Sequence, residues 1–200
     1  MKVIIVSGTP GTGKTTLSKK LAKNLNFHYI DVNKVIEKYD ISEGYDKKRK
    51  TKIIDVNKLN KALIKEIKIY NGKNPIANSN KKISIKNKNP IIKSNNKSSK
   101  IINQKTKKGI VIDSHLSHHL PRKYVDMCIV VKCDLKELEK RLKKKKYSKS
   151  KVRENLDVEI FDVCLNEAKE NKHKIIVIDA TKDFSTNHIS RKIGGLADIK

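Results

Sequence analysis

The sequence predicts an α/β fold in which helices cover both faces of a mostly parallel sheet. Short β-branched runs, which are typical of buried strands, alternate with segments whose leucines recur at helical spacing. A glycine-rich loop follows the first of these runs and leads into the first helical segment. Because parallel strands end at the same edge of a sheet, we expect the ligand to bind at that edge.

The glycine-rich loop Gly8–Thr15 reads GTPGTGKT and matches the phosphate-binding pattern G-x-x-x-x-G-K-[ST]. Its glycines allow successive backbone N–H groups to surround an anion. Lys14 supplies a positive charge for the β- and γ-phosphates, and the Thr15 hydroxyl can coordinate Mg²⁺. The loop therefore predicts a P-loop NTPase that binds a nucleoside triphosphate together with Mg²⁺.

The first part of the chain predicts a regular alternation of elements before the composition changes. The expected elements are a strand over 2–7, a helix over 14–25, a short strand over 27–30, a short helix over 32–36, a polar loop over 39–52 and a helix capped by Asp55. Residues 71–107 then consist mostly of Lys, Asn, Ser and Ile and carry no acidic residue. This composition is typical of a flexible low-complexity insertion.

The position of the insertion predicts where it lies. It joins a helix to the beginning of the next strand, and such connections lie at the sheet edge opposite the nucleotide. We therefore expect the insertion not to cover the phosphate-binding loop.

After the insertion the alternation resumes, within what we predict to be a single domain over 1–200. The expected elements are strands over 109–113, 126–133 and 174–179, helices around 135–142 and 151–170, and a weak C-terminal helix after Phe184. Leu156 and Ile160 are among the residues that we expect the longer of these helices to bury.

The composition limits the partners that the protein can have. Lys and Arg number 47 against 21 Asp and Glu, for a net charge of +26, which indicates acidic partners such as nucleotides and RNA. A lysine-rich proteome would produce the same excess.

The three cysteines lack metal-type spacing and are typical of reduced thiols, and no apolar run reaches membrane-spanning length. We expect a cytoplasmic protein with no membrane partner.

A second group of candidate residues closes the strand over 109–113. Asp113 can hold Mg²⁺, directly or through water, opposite Thr15, although a carboxylate here can also cap a turn. His115 can orient a water or a phosphate oxygen, or serve only as a structural hydrogen-bonding residue. His115, His118 and His119 have a spacing that zinc would accept, but no cysteine or further carboxylate completes the set, which disfavours zinc.

The segment 143–153 carries six lysines and one arginine between two predicted helices. A mobile basic lid could close over the triphosphate and neutralise charge during transfer. A solvated basic turn would have the same sequence, and position alone leaves both interpretations open.

Several segments together resemble the adenylate kinase isoenzyme 6 family. They are the loop Gly8–Thr16, Gly44-Tyr45-Asp46 leading to Ile54-Asp55, the strand end Val111–His115, and Tyr147 followed by Glu154-Asn155 and Glu159-Ile160-Phe161. The resemblance covers about residues 2–70 and 108–170. It implies an NMP-kinase-like fold, with an NMP-binding region near 31–54 and a lid near 144–154.

The resemblance also implies an activity and a set of partners. The activity would be a broad-specificity transfer of the ATP γ-phosphate, typically to AMP, together with ATPase activity. The implied partners are the small-subunit ribosomal protein uS11 and, transiently, the pre-ribosomal RNA of the small subunit. The residues that the resemblance implies are the ATP contacts Gly11, Gly13, Lys14, Thr15 and Thr16, the pair Asp113 and His115 beside the metal, and Lys145 in place of a lid arginine.

This sequence lacks an arginine that the family often places in its NMP-binding helix. Lys38, Arg49 or Arg122 could replace it, and the sequence does not select among them. A ribosome-assembly ATPase without true NMP kinase activity is therefore an alternative function. A basic RNA-binding protein with an inactive loop is a further alternative, which the intact Lys14, Thr15 and Asp113 disfavour.

Overall fold

A computed structural model of the protein describes residues 1–47, 49, 51–72, 107–182 and 185–195. Its strands are β1 (Lys2–Ser7), β2 (His28–Asp31), β3 (Ser42–Asp46), β4 (Thr51–Ile54), β5 (Gly109–Asp113), β6 (Met127–Lys132) and β7 (Ile175–Asp179). Its helices are α1 (Lys14–Leu25), α2 (Val32–Lys38), α3 (Val56–Gly72), α4 (Leu135–Lys144), α5 (Lys149–Ile160), α6 (Val163–Glu170) and α7 (Thr186–Gly195).

Five parallel strands form the central sheet in the order β2-β5-β1-β6-β7, which confirms the predicted α/β fold. In register, Val6 of β1 faces Asp113 of β5, and Ser7 faces Val130 of β6. The carboxyl ends of the three middle strands therefore meet at the loop that follows Ser7.

The two faces of the sheet pack against different helices because consecutive strand residues point to opposite sides. Ile5 on one side belongs to a core cluster with Leu59 and Leu63 of α3. Ile4 on the other side packs in a second cluster with Leu17 of α1 and residues of α7. Helices thus cover both faces, and α7 confirms the C-terminal helix for which the sequence signal was weak.

The prediction of a polar loop over 39–52 is wrong, because β3 and β4 form an antiparallel hairpin there. The register shifts between Ser42 and Gly44, and every residue of both strands is exposed or only partly buried. Since no residue of the hairpin is fully buried, its sequence has no alternation of apolar and polar residues that would mark it as strand.

The single helix predicted over 151–170 is also wrong, because the chain forms two helices, α5 and α6. Asp162 between them has a φ of 52°, in the left-handed region, which ends the first helix without glycine or proline. The buried residues of α5 are Val152, Asn155 and Glu159. Ile160 therefore lies off this buried face and is 52% exposed, and the expectation that it is buried fails.

Helix α3 runs to Gly72, two residues into the insertion predicted over 71–107. Residues 73–106 lie outside the described residues, so the predicted position of the insertion stays a prediction. The described chain resumes at Lys107. The next residue, Lys108, donates its N–H to Asn26 O, and its carbonyl accepts from Lys2 N. Lys108 therefore lies at the amino end of β1, opposite the phosphate-binding loop.

Among the described helices, none combines the length and the apolar character that crossing a membrane would require.

Candidate active site

The loop between β1 and α1 has the backbone that its glycines predict. Gly8, Gly11 and Gly13 have φ values of 130°, 98° and 102°, a region that side chains with a Cβ rarely adopt. A Cβ at Gly8 would also lie 2.3 Å from Val131 O. Gly13 precedes the first residue of α1, so the positive end of this helix faces the loop.

The Lys14 side chain folds back over the phosphate-binding loop. Its Nζ donates a hydrogen bond of 2.8 Å to Thr9 O, and the residue is 9% exposed. Burial lowers the pKa of Lys14 to about 8, and the negative charge of Asp113 partly opposes that shift. The loop therefore holds a preformed, poorly solvated cation where a phosphate would replace the backbone carbonyl as its partner.

A buried carboxylate supports the loop from behind. Glu159 of α5 is 6% exposed, accepts a hydrogen bond from Thr9 Oγ1, and accepts another of 2.9 Å from Cys133 N. It thus joins the phosphate-binding loop to the chain that leaves β6. The sequence assigned no role to Glu159, although it lies in the E-I-F segment of the family resemblance.

Asp113 lies beside the loop at the end of β5. The residue is 7% exposed, and its Oδ2 accepts a 2.9 Å hydrogen bond from the Tyr29 hydroxyl. Burial and the neighbouring Asp113 both raise the pKa of Tyr29, so the phenol stays a hydrogen-bond donor. Asp113 and the hydroxyl-bearing Thr15 line the same cleft, and these hard oxygen ligands fit the preference of Mg²⁺.

His115 lies in the same cleft, two residues after Asp113, and keeps an exposed surface there. The surrounding protein and the charge of Lys14 lower the pKa of its imidazole below the ordinary value. The neutral imidazole is therefore the prevailing form at neutral pH.

The cleft has a volume of about 870 Å³ and brings together every residue that the sequence singled out for ATP and metal. Those residues are Gly11, Gly13, Lys14, Thr15, Thr16, Asp113, His115 and Lys145. Lys144 lines it as well, so the end of α4 brings two lysines of the basic segment to the phosphate-binding loop.

Arg141 of α4 also lines the cleft and was not predicted. Its guanidinium donates to Thr12 O at 3.4 Å and to Thr181 O at 3.0 Å, while Glu137 holds its Nε at 2.9 Å. Arg141 therefore bridges the phosphate-binding loop and the chain after β7. Its position one helical turn before Lys145 is the sequence signal that could have identified it.

The three basic residues considered for the acceptor phosphate have different environments. Lys38 Nζ lies 2.5 Å from Glu66 Oε1, and the Arg122 guanidinium donates to Val125 O just before β6, at the opposite edge of the sheet. Arg49, next to the hairpin, has its Nε 3.3 Å from Glu154 Oε1 of α5. Of the three, Arg49 is the one whose ion pair joins the segment predicted to bind the monophosphate to the predicted lid segment.

The segment predicted to be a lid contacts the predicted NMP-binding segment directly. Lys151 Nζ donates to Arg49 O at 3.1 Å and lies 4.6 Å from the centre of the Tyr147 ring. These contacts lie at the surface, and the Arg49 and Glu154 side chains are 60% and 44% exposed.

Comparison with known proteins shows the family to which the chain is related. A family model described as an AAA domain matches residues 4–162. A protein of Methanocaldococcus jannaschii named "Putative adenylate kinase" is 32% identical over 197 residues, which cover 98% of this chain and 87% of that protein. An adenylate kinase isoenzyme 6 homolog of Dictyostelium discoideum is 27% identical over 88% of this chain and 79% of its own length.

The chain belongs to this adenylate kinase family. The protein is therefore an adenylate kinase-like P-loop kinase, which confirms the family resemblance drawn from the sequence motifs. A solved structure titled as a putative kinase from Chloroflexus aurantiacus has a TM-score of 0.50 at 15% identity, and the match covers 98% of this chain and 95% of that one. At that identity the likeness supports the fold alone.

Proposed function

We propose that the protein transfers the γ-phosphoryl group of ATP to a nucleoside monophosphate, with AMP as the preferred acceptor and other monophosphates also accepted. The observation that carries this proposal is the meeting of Lys14, Asp113 and the two lysines at the end of α4 in one cleft. Asn33 of α2 lines the same cleft, so the NMP-binding region borders the donor site.

The phosphate-binding loop would hold the donor. Backbone N–H groups between Gly8 and Thr16 surround the β- and γ-phosphates, and Lys14 exchanges Thr9 O for a phosphate oxygen. Thr15 and Asp113 would hold Mg²⁺, which would neutralise negative charge on the phosphates. The protein itself supplies position and charge, since phosphoryl transfer needs little covalent help.

The basic residues of α4 would act during transfer. Arg141 is fixed by three hydrogen bonds, and Lys145 lies one helical turn further along the same cleft. Both place positive charge near the transferring group, where charge spreads in the transition state. His115, beside Asp113, would position the attacking oxygen of the acceptor, or of a water when no acceptor is bound, which would give the ATPase activity.

Arg49 would bind the acceptor phosphate. Its backbone and side chain meet Lys151 and Glu154 of the lid segment, so an acceptor held by Arg49 would lie between the two regions. Lys38 is less suited because Glu66 and the Tyr39 hydroxyl form a hydrogen-bonded group with it away from the cleft.

A panel of acceptors tests the proposal. Purified protein with Mg-ATP and AMP, CMP, GMP, UMP or dAMP should form diphosphates well above the rate of ATP hydrolysis alone, and AMP should be the fastest acceptor. Equal rates with and without every acceptor would contradict the kinase activity and favour an ATPase.

We also propose a second, cytoplasmic role, in the late maturation of the small ribosomal subunit, through uS11 and the precursor RNA. The supporting observations are the net charge of +26 and the resemblance to adenylate kinase isoenzyme 6. Binding to small-subunit RNA should weaken steeply as salt rises, because phosphate contacts release counterions. ATP hydrolysis that responds to uS11 but not to AMP would favour this role over NMP kinase activity.

A further inference from the structure

A cluster of two histidines and one carboxylate lies outside the cleft. His118 and His119 end a short 3-10 helix after β5, and Glu167 belongs to α6. The His118 Nε2 lies 2.7 Å from Glu167 Oε2, and the His119 Nε2 lies 3.9 Å from the same oxygen. In the part of the chain that the structure describes, no other three His, Cys, Asp or Glu side chains bring their ligand atoms this close together.

The cluster changes the argument that disfavoured zinc. That argument considered His115 with His118 and His119, and found no further carboxylate. The structure leaves His115 in the nucleotide cleft and brings Glu167 to the other two histidines from 49 residues after His118. The missing ligand is therefore supplied by the packing of α6 against the 3-10 helix.

We propose that His118, His119 and Glu167 bind one divalent transition-metal ion, with Zn²⁺ as the best match. Two imidazole nitrogens and one carboxylate oxygen form a set that zinc accepts with a fourth position left for water. Metal–ligand bonds of about 2.1 Å in a tetrahedron separate neighbouring ligand atoms by about 3.4 Å. The observed separations from Glu167 Oε2, 2.7 Å to His118 Nε2 and 3.9 Å to His119 Nε2, lie on either side of that value, and the ligand atoms of all three residues lie within 4.8 Å of one another.

The surroundings of His118 suit a metal ligand. Its Nδ1 lies 2.6 Å from Ser7 Oγ, and Ser7 Oγ also lies 3.3 Å from His115 O, to which it can donate. Without an ion, His118 Nε2 donates its proton to Glu167 Oε2. With an ion bound, the Nε2 lone pair would face the metal and Nδ1 would donate to Ser7 Oγ. A second ring nitrogen held by a polar neighbour is what orients metal-bound histidines. His173 Nε2 further fixes the backbone by donating to His118 O at 2.8 Å.

The exposure of the three side chains gives the ion an entry path. The His118 side chain is 2% exposed, whereas those of His119 and Glu167 are 27% and 37% exposed. An ion would therefore enter past His119 and Glu167 and keep its fourth position toward solvent. Because Ser7 is the last residue of β1, the bound ion would stabilise the base of the phosphate-binding loop.

Titration with Co²⁺ followed by Zn²⁺ tests the site in the nucleotide-free, chelator-treated full chain. We expect one Co²⁺ per chain with a tetrahedral visible spectrum, displacement by Zn²⁺, and a higher melting temperature with Zn²⁺. His119→Gln and Glu167→Gln should each weaken binding by about tenfold or more. Both residues are partly exposed, so these variants should fold. A substitution of the buried His118 could unfold the chain and would then say nothing about metal binding.

Three matched variants serve as controls and should bind as the wild type does. His28→Gln removes a histidine elsewhere, Glu170→Gln changes an exposed carboxylate on the same helix, and Asp113→Asn changes the nucleotide cleft. Absence of saturable binding in the wild type would overturn the proposal. Binding that survives in His119→Gln and Glu167→Gln, or that is lost in Asp113→Asn, would overturn it as well. None of these outcomes depends on kinase activity.

Discussion

The donor side of the cleft and its acceptor side are built in different ways. The phosphate-binding loop is held by buried groups, since Lys14 and Glu159 both bond to Thr9 and both are less than a tenth exposed. The proposed acceptor side consists of α2 and a two-stranded hairpin whose Tyr45 and Ile53 are 57% and 52% exposed. An isolated hairpin has little stability of its own, so we expect the acceptor side to take its final form around its ligand.

The two sides differ in how much of the binding geometry is formed before a ligand binds. On the donor side, folding already desolvates a cation and orders the loop, and that preorganisation strengthens electrostatic stabilisation of a transition state. On the acceptor side, exposed ion pairs such as that of Arg49 with Glu154 contribute little by themselves. Substitutions on the donor side should therefore have the larger effects.

The largest expected effect is that of Lys14→Ala. Loss of the preformed cation should lower ATP-dependent turnover by about a thousandfold, the upper range for removing one charge-stabilising donor. Initial rates of ADP formation with AMP measure this effect. Lys140→Ala changes a lysine with an 81% exposed side chain on α4 and should leave the rate nearly unchanged. Retention of a tenth of the rate in Lys14→Ala would contradict the donor site.

Glu159→Gln should weaken the support of the loop. Glutamine has one acceptor oxygen, so it cannot accept from both Thr9 Oγ1 and Cys133 N as the two carboxylate oxygens do. The free energy of unfolding should fall by about 1–3 kcal/mol, measured by urea denaturation, and the KM for ATP should rise.

Glu170→Gln is the matched control for that variant. Glu170 is exposed at the end of α6, and its substitution should change the free energy of unfolding by less than about 0.5 kcal/mol. Equal stability of the two variants would show that Glu159 does not support the loop.

Arg141→Lys should have a smaller effect that is confined to the donor. Lysine keeps the charge but cannot make the planar set of bonds to Thr12 O, Thr181 O and Glu137. We expect the KM for ATP to rise about tenfold, or about 1.4 kcal/mol, while the KM for AMP stays within twofold. Steady-state kinetics with each substrate varied in turn distinguishes this result from a general loss of structure.

The smallest expected effect is that of Arg49→Ala. If Arg49 holds the acceptor phosphate at an exposed site, the KM for AMP should rise about fivefold, in the range of exposed charge pairs, with the KM for ATP unchanged. Lys38→Ala is the matched control, because Lys38 is paired with Glu66 and should affect AMP kinetics little. The opposite outcome would assign the acceptor phosphate to Lys38 and would require α2 to move.

Much of the fold could be predicted from local patterns, and the exceptions have physical reasons. β1, β5 and the helix after Gly13 follow from β-branched runs and leucine spacing, because these segments are buried in the way that the patterns describe. The hairpin was missed because none of its residues is fully buried, so its sequence lacks an apolar and polar alternation. The break between α5 and α6 was missed because Asp162, a residue that only occasionally takes left-handed backbone, ends the helix.

The sequence by itself determined the chemistry of the donor site, because the eight residues of the phosphate-binding loop are contiguous and their backbone geometry follows from their glycines. Only the tertiary structure decided which distant side chains support that loop and which basic side chains line the cleft beside it. Thr9 meets Glu159 across 150 positions, and Arg141 meets Thr12 across 129. Such contacts depend on how helices pack on the sheet, and no local spacing in the chain records that packing.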